Sequence, residues 1–150
     1  MDSLRIDNGL KEIEVNDEGE RIKFSIVDND FFRAFFDLLK WFDDQENRKD
    51  IKEIEEQSNK AVSEDGENIN YNAVNNVLDL RDKISKEACE KIDNIFGAEA
   101  SRKIFGSVIP DMYMIADFFE QITPLIEKYQ KERSQTINKK YSKSRKGAKS

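Results

Sequence analysis

Histidine is absent from the 150-residue sequence, cysteine occurs once, proline twice and glycine six times. Each shortage excludes something. Without histidine there is no Ser-His-Asp triad, the commonest general base is missing, and nearly all zinc sites are ruled out. One cysteine, Cys89, can build neither a metal cluster nor an internal disulfide framework, and it fits a reducing compartment. With no histidine to activate it, Cys89 reads as a small packed side chain. So few prolines and glycines argue against a loop-rich all-β protein. No apolar run reaches the length of a membrane span. MDSLRIDNGL lacks the basic start and apolar core of a signal peptide. Ile-Phe-Gly-Ala-Glu-Ala-Ser lacks both the glycine spacing and the lysine of a phosphate loop. No enzyme, cofactor or metal is therefore expected, and binding or assembly is the remaining class.

Charge is abundant but uneven. Charged residues make up 37% of the chain and the formal net charge is −6. Lys131, Arg133, Lys139, Lys140, Lys143, Arg145, Lys146 and Lys149 crowd residues 131–150, where Glu132 is the one acid. The body before them is strongly acidic. Such a body repels DNA, so nucleic acid is not an expected partner except through the basic end. Residues 134–150 read as a flexible, solubilising tail or as a docking arm.

The pattern along the chain is mainly helical. Ile13 and Val15, then Ile22, Phe24 and Ile26, alternate with charged residues around Asn16-Asp17-Glu18-Gly19. Period two with a glycine turn predicts a β-hairpin over 11–26. A lone hairpin is marginal in water, so it must pack on helices or pair with another chain. Asp28, Asn29 and Asp30 offer caps for a helix over about 30–43. Over 31–42, Phe31, Phe32, Phe35, Phe36, Leu38, Leu39, Trp41 and Phe42 are apolar, a wide stripe through i, i+4, i+7 and i+11 that exceeds one narrow seam. A thin apolar stripe predicts a second helix over 47–62, and Ser63 to Asn68 a loop. Val74, Val77, Leu78, Arg81, Ile84, Ala88, Ile92 and Ile95 predict a long helix over 71–96. Met112, Ile115, Phe118, Phe119, Ile122, Leu125, Ile126 and Tyr129 predict a last one over 111–132, kinked or broken by Pro124.

Between the last two long helices, Ile-Phe-Gly occurs twice, at Ile95-Phe96-Gly97 and Ile104-Phe105-Gly106. Glycine after an apolar turn is a common helix stop, since it takes the left-handed conformation without a side-chain penalty. Two stops frame a short helix over 98–105. Pro110 ends it and Asp111 can cap the next. The expected structure is a corner that pins Phe96, Phe105 and both isoleucines into the core, within one domain over 1–133. Asp28-Asn29-Asp30 and Asp79 with Asp82 could in principle hold a metal, but no EF-hand spacing supports it.

The stretch KIDNIFGAEASRKIFG, followed by Pro110 and by ADFFEQITPLIEKYQKER, resembles the tail assembly chaperones of long-tailed siphophages and prophages of Gram-positive bacteria. The matching residues are Asp93, Phe96-Gly97, Ala100, Ile104-Phe105-Gly106, and Phe118-Phe119-Glu120 running into Tyr129 and Lys131-Glu132-Arg133. The likeness covers most of the chain but is specific over 88–133. It implies a non-enzymatic protein of the bacterial host cytoplasm, absent from the finished virion. It implies binding to the tape measure protein, which is kept soluble while tail tube subunits polymerise, and contact with the tube protein is a further implication. Such families commonly add a longer, frameshifted form. A helical partner needs an apolar, adaptable groove, and Phe31, Phe35, Trp41, Phe42, Met112, Met114, Phe118 and Phe119 are the supply. Self-association through the hairpin edge or the aromatic helix is a second use for these surfaces. The competing reading is a small acidic helical phage regulator or inhibitor that mimics nucleic acid.

Overall fold

The structure is a computed structural model that describes residues 1–48, 52, 53, 56 and 71–148. A two-stranded antiparallel hairpin, β1 (Leu10–Glu14) and β2 (Arg21–Ser25), opens the chain. Four helices follow among the described residues: α1 (Asn29–Glu46), α2 (Tyr71–Phe96), α3 (Ala100–Phe105) and α4 (Met112–Ala148). The fold is mainly helical with a small N-terminal hairpin. The helix expected over 47–62 and the loop over 63–68 lie, for the most part, outside the described residues.

The chain divides into two compact units, Met1–Ala116 and Asp117–Ser150. The division falls within α4. In the first unit α2 packs against α1 and β2, and α3 packs against α2 and β2. The hairpin register pairs Ile13 with Ile22 and Lys11 with Phe24. That register puts Ile22 and Phe24 on the buried face, while Glu12 meets Arg21 and Lys23 on the other at 3.1 and 3.2 Å. Gly19 takes a φ of +80° to close the turn, as the sequence requires. Asp28 caps α1 by accepting from the Asp30 amide at 3.0 Å. The buried positions of α1 are Phe31, Phe35, Leu38 and Phe42, four of the eight apolar residues in the wide stripe.

The core of this unit is an aromatic cluster at the end of α2. Phe24 stacks on Phe31 with ring centroids 5.0 Å apart. Phe96 meets Phe24, Phe31 and Phe35 edge-on at 5.9, 5.7 and 6.2 Å. Edge-to-face contacts place the positive ring rim on a negative ring face. One side chain thus ties α2 to the hairpin and to α1.

The corner forms, with two corrections. Its short helix begins at Ala100 rather than 98, because Glu99 adopts the left-handed conformation with a φ of +68°. Phe96 and Ala100 are buried, but Phe105, Ile95 and Ile104 are only half-buried, so a single ring anchors the corner. Gly97 and Gly106 stop their helices at φ values of +110° and +79°. Pro110 is buried, and Asp111 caps α4 by accepting from the Met114 amide at 2.8 Å.

In the second unit Phe118, Phe119, Ile122 and Ile126 are buried. The helix runs unbroken past Pro124, which is exposed, so water can satisfy the carbonyl that proline leaves without a donor. Helix also continues beyond the expected end at 132 to Ala148. Lysine, arginine, glutamine and glutamate favour helix, and no glycine or proline intervenes before Gly147. The stretch from 134 to 142 is exposed at every position.

Candidate partner-binding surface

The eight candidate partner-binding side chains separate into two groups. Phe31, Phe35, Phe42, Phe118 and Phe119 are buried. Trp41, Met112 and Met114 are half-buried and reach the surface. The structure brings Phe31 and Phe35 together in the aromatic cluster, with centroids 6.0 Å apart, and sets Phe118 beside Phe119 at 5.7 Å. Lys91 places its ammonium 5.3 Å from the centre of the Trp41 ring, which holds one face of the indole beneath a cation.

Other apolar side chains reach water instead. Phe36 is 58% exposed and stacks on half-buried Phe32 with centroids 6.3 Å apart. Tyr113 is 80% exposed, and Val108 and Ile109 are exposed in the segment that leads into α4. None of these stands out as a binding residue in the sequence. A finer reading of the helical wheel could have set Phe36 apart, since it lies one residue off the i, i+4 stripe. Nothing local marks Val108 or Ile109.

A polar junction fixes the hairpin to the corner. Asn16 accepts from the amides of Glu18 and Glu20 at 3.0 and 3.1 Å, and its own amide donates to the Lys103 carbonyl at 3.2 Å. Arg102 donates to Glu20 at 2.8 Å and to Glu99 at 2.7 Å. The Arg102 hydrogen bond holds the Glu20 carboxyl below its ordinary range. Asp93, at the end of α2, accepts from the Ser101 amide at 2.7 Å and so caps α3 from eight residues upstream. The corner is therefore tied to the hairpin by the side chains of Asn16, Glu20 and Arg102.

These two features, a braced corner and an apolar fringe, belong to a chain that a family model matches over residues 18–150, under the description "Family of unknown function (DUF6673)". The chain belongs to that family. Neither a curated protein nor a solved structure matches it at a significant level. The DUF6673 match begins in the hairpin turn and takes in β2, all four helices and the corner.

Other polar groups of this DUF6673 chain make local contacts. Asp28 is spent on its cap, and Asp30 pairs with Arg33 at 2.9 Å. Asp79 and Asp82 are exposed. Among the described residues no three acidic, cysteine or histidine side chains gather as a metal site. Burial pushes the Cys89 thiol up, against a hydrogen bond from Ser101. Among the described residues no helix is long and apolar enough to cross a membrane.

Proposed function

We propose that this chain is a tail assembly chaperone that binds the tape measure protein and keeps it soluble while the tail tube is built. The observation that carries the reading is the set of large apolar side chains left at the surface of a highly charged helical protein. Phe36, Tyr113, Val108 and Ile109 are exposed, and Trp41, Met112 and Met114 are half-buried beside buried neighbours. Aromatic and methionine side chains of this kind accommodate the apolar stripe of a helix without demanding one sequence. Many copies along one long helix gain by avidity, so weak binding per copy suffices. The resemblance over 88–133 supports the same reading. On this proposal the protein acts in the host cytoplasm, catalyses nothing and is absent from the virion.

Co-purification tests it. A tagged chain is co-expressed with the tape measure protein and washed at about 0.5 M salt, where exposed charge pairs are largely screened. Retention of the partner is expected, since the interface is apolar. The acidic body favours a second reading, an inhibitor of a basic protein. Release of the partner by salt would point to that reading instead.

A further inference from the structure

From 134 to 142 the chain is helical yet exposed at every position. A helix with no buried face gains nothing from packing, and a row of like charges works against it. Lys139 and Lys140 are exposed there, as is Lys131 just before it, and Tyr141, next to Lys140, is 66% exposed. At about 100° per residue these four side chains leave the helix in four different directions. The backbone stays helical to Ala148.

We propose that α4 beyond Lys131 binds single-stranded nucleic acid without regard to sequence, with its lysines on the phosphates and Tyr141 stacked on a base. The distribution of charge selects this ligand. A folded acidic protein would touch one side of the helix and leave the other lysines unused. A flexible strand can follow the charge around the circumference. An exposed tyrosine ring next to two lysines supplies a sequence-tolerant stacking surface, the second element of single-strand sites. The net charge of the whole chain, −6, opposes binding, so affinity rests on the local lysines and falls as salt competes with them for the phosphates. The inference is independent of the chaperone reading.

The test uses the full chain and a fluorescein-labelled oligo(dT), followed by anisotropy over a range of salt. Exposed positions are chosen so that the variants fold. Lys139→Gln with Lys140→Gln should flatten the plot of log affinity against log salt by roughly 1.4, at about 0.7 for each phosphate no longer neutralised. Tyr141→Ala should weaken binding about tenfold with the slope unchanged, and Tyr141→Phe should restore it. Variants that bind like the parent would overturn the proposal, as would no anisotropy change at low salt. Duplex DNA bound as tightly as the single strand would also overturn it. So would poly-glutamate that displaces the probe as well as unlabelled oligo(dT), since charge alone would then be recognised.

Discussion

A Cβ on Gly9 would stand 2.9 Å from Val27 Cγ1 and 3.2 Å from Ile26 Cγ1, on backbone with a φ of +71°. Gly9→Ala therefore combines a clash with a disfavoured backbone, and we expect a loss of about 1–3 kcal/mol. Gly106 has a similar φ of +79° but open space around it, so Gly106→Ala should cost about 1 kcal/mol from the backbone alone. Urea titrations rank the two, and a larger loss for Gly106→Ala would contradict the account. Titration offers a second check. Hydrogen bonds from Arg21 and Arg102 hold Glu12 and Glu20 below the ordinary value of 4.5. A folded value below the unfolded one stabilises the fold above the unfolded value, and the benefit disappears as pH falls through the folded value. Stability should thus decline on acidification below about pH 4.5. Glu20→Gln should lower stability at pH 7 and flatten that decline; parallel curves for the two proteins would count against the junction. Some of these residue roles were legible. Gly97 and Gly106 follow apolar turns, and Asp28 and Asp111 precede helices, so their local patterns suffice. Asp93 caps a helix eight residues away, and no local rule reaches that far.

At the level of elements, α2 was legible to the residue at both ends, and α1 to within a few, because a 3.6-residue period is long and redundant. The role of Phe96 was not. It follows the last isoleucine of the α2 stripe, and only the folded corner shows that it bridges α2, the hairpin and α1. Phe96→Ala should remove its edge-on packing against three rings at once and cost about 3–5 kcal/mol, whereas Phe36→Ala should stay within about 0.5 kcal/mol. Equal losses in thermal or urea unfolding would place the core elsewhere. The aromatic candidates in α1 were ambiguous for the same reason. Eight apolar residues among twelve exceed one stripe, and periodicity alone does not rank those at its margin. The end of α4 was missed because the apolar pattern stops at Tyr129, while helix propensity continues in the lysine-rich stretch. Pattern and propensity are separate signals, and here they part company.

At the level of the whole molecule, the two proposals assign the body and the basic helix end to different partners. Residues 134–142 bury nothing, so removal of 134–150 should leave the melting temperature of the rest within a few degrees of the parent. A large fall would show that the basic end supports the fold. The same truncation should leave tape measure binding intact and abolish oligo(dT) binding, which separates the two proposals. The uneven charge was readable from composition. The apolar fringe was not, because it depends on which side chains the corner and hairpin leave uncovered. The central claim is that this fringe keeps a long apolar helix soluble. Its most direct measurement is the soluble yield of the tape measure protein expressed alone, with this chain, and with a Phe36→Ser, Tyr113→Ser variant whose melting temperature matches the parent. Low yield is expected alone, high yield with the parent and a clear drop with the variant. A yield that ignores the chain, or that the variant supports fully, would contradict it.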